Sequence, residues 1–308
     1  MPSGHFFAVA IPPPSHHIAM PYFTSPNAFL YVLSVLFLGT ATFSPEDTFA
    51  QSSHSTVIAH AHNDYEHERP LLDALKAGFT SFEADVYLID GKLLVAHDQQ
   101  DTTPDRSLES LYLDPLRRHC SDRTKDSTHK TLWLMIDVKS ASVATSQKIH
   151  AALKQYPDLF AQQSKTPAQQ STTPAQHPEP PGPPVRIVIS GNRAKDEILK
   201  SQPRLAGIDG RLSDMESDLS SDAMPWISDN WRSHFRWRGE STLPDQEREK
   251  LQDYVKQAHN KGRLLRFWAT PDSPAVWDAL LDAQVDLINA DDLLGLQKHL
   301  KTRSQQAR

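Results

Sequence analysis

Apolar positions along the chain fall into two alternating textures. Short, β-branched apolar runs end abruptly in polar residues, and longer segments of helical periodicity lie between them. The runs predict strands over Thr56–Ala61, Ser81–Tyr87, Leu132–Val138, Val185–Ser190, Leu205–Asp209, Trp226–Asp229, Leu264–Trp268 and Val285–Asn289. The helical spacing predicts Arg69–Ala77, Leu108–Arg118, Ala141–Gln155, Ala194–Ser201, Asp245–Asn260, Pro274–Ala283 and Leu293–Lys301. Continuous apolar strands joined by helical crossovers belong to a parallel sheet covered on both faces. Eight such units in about 250 residues fit a (β/α)8 TIM barrel of the α/β class. The rival is a doubly wound open sheet, which gathers its ligand groups at one switch point rather than at nearly every strand end.

Here the polar strand ends are rich in chemistry. The first run closes on His60 and His62, the second carries Glu83 and Asp85, and the third ends in Asp137 and Lys139. In a barrel such ends converge on one face, where catalytic groups sit.

Two stretches stand apart from this pattern. Residues 161–184 (AQQSKTPAQQSTTPAQHPEPPGPP) have no apolar periodicity and read as a disordered surface insertion. Residues 1–50 hold no Lys or Arg, and the uncharged apolar run Ala28–Phe43 suits the core of a signal peptide better than a membrane span. Thr48-Phe49-Ala50 offers a cleavage site before Gln51, and Met20 offers a second start. The expectation is an exported protein, periplasmic or secreted, with an uncleaved membrane anchor as the other reading. The barrel would then occupy 51–308.

Composition narrows the partners. Of 308 residues, 38% are hydrophobic, enough for a sizeable core. The balance of 32 basic and 38 acidic residues gives a net charge of -6, which leaves no electrostatic footprint for nucleic acid. The single cysteine, Cys120, excludes an internal disulfide and a Cys-rich zinc site. No GxGxxG or GxxxxGK[ST] motif is present, so a glycine-built phosphate loop of either kind is excluded.

Spacing then suggests a metal centre. Glu83 and Asp85 are two apart on a strand, so both side chains face one way. Paired carboxylates turned into a barrel repel and lose solvation unless a cation lies between them. Asp137, closing the apolar run LWLMIDVKS, is a natural third ligand, and oxygen ligands favour Mg2+ or Ca2+. Lys139 is on the same face and suits a phosphate oxygen, with an ordinary helix-start lysine as the other reading. Asp90-Gly91 marks a tight turn that returns the chain to His97, beside the carboxylates, where an imidazole suits acid or base work. His60 and His62 admit two readings. They could bind zinc together, as in amidohydrolase-type barrels, or His62 could act in proton transfer while Asn63 gives an amide oxygen to a hard cation.

The ordered set HNDY, ExD, HD and DVK resembles the phospholipase-C-like phosphodiesterase superfamily of glycerophosphodiester phosphodiesterases and phosphatidylinositol-specific phospholipases C. HAHNDYEHERPLLDAL with GFTSFEADVYLIDGKLLVAHD is most similar to the branch that includes the fungal altered-inheritance-of-mitochondria proteins. Arg266-Phe-Trp-Ala-Thr270 and Leu287-Ile-Asn-Ala-Asp-Asp292 resemble later strands of the family. The glycerol-type members carry HRG where this chain has HAHND, and usually Glu where it has Asp137.

The resemblance implies a TIM barrel that hydrolyses phosphodiesters with a divalent cation, Mg2+ or Ca2+, on a glycerophosphodiester or phospholipid-like substrate. Carried over by position, His62 (His60 in the HRG-type alignment) and His97 are catalytic. Asn63, Glu83, Asp85 and Asp137 are metal ligands, and Lys139 contacts phosphate, with His60 and Trp268 as further substrate contacts. The expected partner is a small phosphodiester or a lipid headgroup, with transient contact at a membrane surface allowed. The alternatives are a zinc amidohydrolase-type barrel using His60 and His62, and a non-catalytic exported binding protein.

Overall fold

The computed structural model describes residues 57–122, 130–160 and 184–306. The expected leader therefore lies outside the described residues, as does the expected insertion apart from Pro184. Among the described residues there are nine strands: β1 (Ile58–Ala61), β2 (Ser81–Ile89), β3 (Lys92–Val95), β4 (Leu132–Val138), β5 (Val185–Gly191), β6 (Ala206–Gly210), β7 (Trp226–Asn230), β8 (Leu264–Trp268) and β9 (Leu287–Ala290). The helices are α1 (Leu72–Lys76), α2 (Asp114–Ser121), α3 (Ser142–Leu153), α4 (Lys195–Lys200), α5 (Trp231–His234), α6 (Asp245–Asn260), α7 (Pro274–Asp282) and α8 (Leu293–Gln306). Among the described residues no helix is long and apolar enough to cross a membrane.

All strands but β3 form a closed parallel barrel. The order runs β1-β9-β8-β7-β6-β5-β4-β2, and β1 also pairs with β2, which shuts the ring. The seam is short: His60 and Ala61 register with Ser81 and Phe82 on one side, and Ile58–Ala61 with Leu287–Ala290 on the other. The fold is the TIM barrel expected from the alternation. β3 is the return arm of a hairpin on β2, turned at Asp90 and Gly91, both at positive φ. A two-residue turn with left-handed backbone matches strand twist, which is why Asp-Gly marks it.

Period-two alternation sorts the strand residues into two layers. Outward residues such as Phe82, Ala84, Leu134, Ile136, Ile187 and Ile189 join the large core under the helices. Inward residues Trp133, Met135, Val188, Trp226 and Leu287 form a second, smaller apolar cluster inside the barrel. Trp133 and Trp226 pack there with ring centroids 5.1 Å apart. Polar side chains from the same inward positions lie nearer the strands' C-terminal ends, so the apolar cluster is the floor of the site.

Departures from the expected elements have local causes. α1 starts at Leu72 instead of Arg69, because Leu71 is held at φ 63 and donates its N–H to the buried Asp64 carboxylate at 2.6 Å. The helix expected from Leu108 begins with one π-helical segment, Glu109–Leu113, before α2. β9 starts at Leu287 instead of Val285. Asp286 spends its side chain on the Leu265 N–H (2.9 Å) and the His259 ring (2.8 Å). α5 was not expected; its Asn230 cap accepts the Arg232 N–H.

One buried cation braces the connection from β6 to β7. Arg263, 1% exposed, donates to the carbonyls of Asp214, Met215, Ser217 and Leu219 at 2.6–3.2 Å. Arg263→Met leaves those carbonyls without their charged donor, and the expected cost is about 3–5 kcal/mol, as for other broken buried charge networks. Urea unfolding of the two proteins checks this; a loss below about 1 kcal/mol, the worth of one ordinary hydrogen bond, would show that the loop holds itself.

Candidate active site

The site is built at the C-terminal ends of β1, β2 and β4, with β8 and β9 closing behind them. Strand register sets its centre. Asp85 on β2 lies beside Asp137 on β4, one inward step beyond the Glu83–Met135 pair. Side-chain oxygens of Glu83, Asp85 and Asp137 come within 4.8 Å of one another. The structure thus brings together the three carboxylates that spacing singled out.

Two cations hold this cluster. Arg266, 2% exposed, donates from Nη2 to Glu83 Oε2 at 3.0 Å and to Asn289 Oδ1 at 2.6 Å. Lys139 Nζ lies 3.0 Å from Asp85 Oδ2 and 3.4 Å from Asp137 Oδ1. The two sides of the cluster titrate oppositely. Burial opposes ionisation of Glu83, but Arg266 and the His60 hydrogen bond outweigh it and hold the carboxyl well below its usual range. Burial and the Glu83 charge push Asp85 up to about 7, and burial also raises Asp137. Burial works against the Lys139 charge, yet Asp137 and Asp85 raise its pKa above the usual value. Three carboxylates against two cations leave one negative charge in excess.

Asp85 Oδ1 is buried and accepts no hydrogen bond among the described residues, and Asp137 Oδ1, also buried, has only the Lys139 ammonium, at 3.4 Å. The second of these lies over Gly191. A Cβ built there would stand 2.0 Å from Asp137 Oδ1, and Gly191 has φ +66, so only glycine leaves this oxygen its place.

The histidines divide between depth and rim. His60 is wholly buried, with Nδ1 2.7 Å from Ser81 Oγ and Nε2 3.3 Å from Glu83 Oε2, and its ring packs edge-on to Trp226. Burial and nearby Arg266 lower its pKa to about 4, so it is neutral. The expected substrate contact is therefore corrected: both His60 nitrogens face inside the barrel wall, and the ring supports Glu83 from below. The zinc pair is corrected for the same reason. His62 turns to another partner, its Nδ1 2.7 Å from Asp291 Oδ1, and among the described residues only the three carboxylates converge as a metal set. Burial pulls the His62 pKa down, but the hydrogen bond to Asp291 and the Glu83 charge raise it overall.

His97 reaches the site through the β2–β3 hairpin, where Ala96 N–H donates to the Asp85 carbonyl at 3.3 Å. Its side chain is 57% exposed. Tyr87 donates its hydroxyl to the His97 carbonyl at 2.9 Å, which anchors the backbone. Its ring Nδ1 meets the Tyr65 hydroxyl at 3.1 Å. That hydroxyl is also 2.8 Å from both Asn63 Oδ1 and Asp85 Oδ2. Asn63 stands at φ 46 in the turn after β1, a left-handed position that asparagine tolerates. Trp268 is at the end of β8, partly exposed, on the same strand face as Arg266.

Sequence reasoning missed Tyr65, Arg266, Asp291 and Gly191 as site residues. The signal for Arg266 was present: a lone cation in the middle of an apolar strand, LLRFW, needs a buried partner. Beside Lys139 an open cleft of about 970 Å³ is lined by Ser140, Asn192, Arg193 and Lys195, among others.

Comparison with known proteins agrees with this architecture. Residues 50–202 match the AIM6-like phosphodiesterase domain, and residues 265–293 match the glycerophosphoryl diester phosphodiesterase family. Altered inheritance of mitochondria protein 6 of Eremothecium gossypii is 29% identical over 281 residues, covering 78% of this chain and 68% of that protein. Its homolog in Arthroderma benhamiae is 28% identical over 275 residues, 77% of this chain and 82% of the relative. A solved glycerophosphodiester phosphodiesterase from Parabacteroides distasonis shares the fold, with a TM-score of 0.51, 17% identity, and coverage of 82% of this chain and 99% of that one. The chain belongs to the phospholipase-C-like phosphodiesterase superfamily, near the branch of the altered-inheritance-of-mitochondria proteins.

Proposed function

We propose that this protein hydrolyses phosphodiesters with a hard divalent cation, using His62 and His97 to move protons. One observation carries the proposal. Two mouth histidines, each oriented through Nδ1, flank three converging buried carboxylates, of which Asp85 keeps one oxygen without a partner among the described residues. The donor set fits the cation: it is all oxygen, and an unpartnered buried carboxylate oxygen is costly unless a cation takes it. Glu83, Asp85 and Asp137, with the Asn63 amide oxygen, would hold Mg2+ or Ca2+. When bound, the ion would withdraw charge from the phosphate oxygens. It would also change the excess charge of the cluster from minus one to plus one, which suits a phosphodiester anion.

The remaining steps belong to the protein's own groups. The nucleophile is water or a neighbouring hydroxyl of the substrate. Its oxygen bonds to phosphorus as the bond from phosphorus to the leaving oxygen breaks. His97 takes the nucleophile's proton. His62, whose protonated form the Asp291 hydrogen bond favours, gives a proton to the leaving alkoxide. If a substrate hydroxyl attacks, the first product is a cyclic phosphate. Lys139 is placed to meet a phosphate oxygen at the edge of the cleft.

The substrate class is a glycerophosphodiester or a phospholipid-like headgroup, by analogy with the matched families. Leu72, Val143 and Leu294, on helices that follow barrel strands, and Trp268, the last residue of β8, are exposed apolar side chains that would lose water in a transient contact with a lipid surface.

Bis(p-nitrophenyl) phosphate and a panel of glycerophosphodiesters, assayed with Mg2+ or Ca2+ and with EDTA, test the activity. His62→Ala and His97→Ala should each lose about 10²- to 10⁴-fold in kcat, the usual worth of a general acid or base. Full activity in His97→Ala removes that residue from the mechanism. No turnover of any phosphodiester, with or without metal, would leave the non-catalytic binding reading instead.

Asp291→Asn tests the acid. The carboxylate stabilises the imidazolium, so its loss lowers the His62 pKa, and the proton leaves at lower pH. The alkaline limb of the kcat profile should move to lower pH, by less at high salt. An unmoved limb would assign it to another group.

Gly191→Ala forces a methyl group against Asp137 Oδ1. Cation affinity, read by calorimetric titration of the stripped protein, should weaken about 10- to 100-fold, as when a ligand's supporting contacts are lost.

A further inference from the structure

We infer that Tyr65 is a positioning residue that keeps the ring proton of His97 on Nδ1, so that Nε2 is the basic nitrogen left for chemistry. This deepens the phosphodiesterase reading and rests on it for its kinetic consequence, although the tautomer itself can be read without turnover.

The argument is an allocation of protons. Tyr65 is 2% exposed, and its hydroxyl meets Asp85 Oδ2 and Asn63 Oδ1 at 2.8 Å and His97 Nδ1 at 3.1 Å. A phenol has one proton to give and two lone pairs to receive. The Lys139 ammonium, 3.0 Å from Asp85 Oδ2, has only donors. Asp85 Oδ2 must therefore be an acceptor there, whatever the state of the other carboxyl oxygen. A carboxylate oxygen is a stronger acceptor than an imidazole or amide, and hydrogen bonds to it are about twice as strong as neutral ones. The phenol proton thus goes to Asp85 Oδ2. A lone pair of the phenol then faces His97 Nδ1, and that contact is attractive only if Nδ1 carries hydrogen. The Asn63 oxygen, 2.8 Å from the same hydroxyl, shares that proton as the weaker acceptor of a bifurcated hydrogen bond.

The proton held on Nδ1 in the neutral ring leaves Nε2 with its lone pair. Which imidazole nitrogen is protonated is set by the hydrogen bond that the other makes. Asp85 Oδ2 is itself 3.8 Å from Nδ1, too far for a hydrogen bond, so the phenol is the link between the carboxylate cluster and the ring. The same contact turns Asp85 so that Oδ2 faces Tyr65 and Lys139, while Oδ1 keeps no partner among the described residues.

Tyr65→Phe removes one oxygen and keeps the ring in the core, where it packs, and keeps the backbone carbonyl that Arg106 binds. Long-range 1H–15N spectra of the full-length labelled protein, with His97→Ala for assignment, report the tautomer above the ring's titration. The wild type should show His97 protonated at Nδ1. Tyr65→Phe should move the proton to Nε2 or spread it over both nitrogens. His97 found with its proton on Nε2 in the wild type, or an unchanged tautomer in Tyr65→Phe, overturns the inference.

Kinetics give the second arm. With a phosphodiester that the wild type turns over, Tyr65→Phe should lower kcat about 10- to 100-fold and leave KM within about threefold. Tyr65→Phe with His97→Ala should be no slower than His97→Ala alone, because the phenol acts through the ring. Additive losses in the double variant, or a loss confined to KM, would overturn the positioning role. If no phosphodiester is turned over, the proposed function fails, and the spectra alone still decide the tautomer.

Discussion

The structure depends on keeping three carboxylates close together inside a protein wall. At an effective dielectric near 20, two like charges about 4.8 Å apart repel by roughly 3–4 kcal/mol. Burial, with that repulsion from Glu83, is what pushes Asp85 up to about 7. Burial adds a desolvation cost on top. Glu83, Asp85 and Asp137 are tolerable together because Arg266 and Lys139 approach them from opposite sides. The two cations have different parts. Arg266 is sealed in the barrel with Glu83 and Asn289 and belongs to the framework. Lys139 is partly exposed and lies at the edge of the open cleft.

This division follows from the way a barrel fills its interior. Inward positions come at every second residue, so each strand contributes a short ladder from floor to mouth. On β4 the ladder is Trp133, Met135, Asp137, and on β2 it is Ser81, Glu83, Asp85. The apolar rungs, with Val188, Trp226 and Leu287, stack the floor, and the charged rungs stand on it. A dry floor has a further effect. It lowers the local dielectric under Glu83, which strengthens the Arg266 pair and ties that carboxylate down while Asp85 and Asp137 stay adjustable.

Local patterning carried the fold and part of the site. The strand runs are apolar on both faces, Asp90-Gly91 announced the hairpin that delivers His97, and the ExD spacing put Glu83 and Asp85 on one face. Each of these is a relation between near neighbours in the chain. The misreadings concern relations across the barrel. His60 looked available because it ends a strand, yet closure of β1 against β2, with Trp226 of β7 facing it across the interior, buries it between Ser81, Glu83 and Trp226. Arg266 meets Glu83 from far along the chain, and no spacing rule connects them. Leu71, an apolar residue in a helical pattern, is held at positive φ by a buried aspartate that lies earlier in the chain. Register and shear decide such pairings, and they become defined only when the ring closes.

Closure and chemistry therefore share one place. The seam runs along β9, β1 and β2, and the groups that orient both mouth histidines come from it. Asp291 follows β9 and holds His62, which follows β1; Tyr65 follows β1 and meets His97, which follows the hairpin on β2. Asp272 fixes the β9 side by accepting the backbone N–H groups of Asp291 and Asp292 at 2.7 and 2.8 Å. One histidine is thus paired with a carboxylate and the other with a phenol. A carboxylate favours the charged imidazolium, whereas a neutral hydroxyl directs a proton without adding charge. Two chemically identical rings are thus held by chemically different orienters, one charged and one neutral. A barrel closed in a different register would retain its helices and its apolar core, but it would separate these pairs and lose the asymmetry.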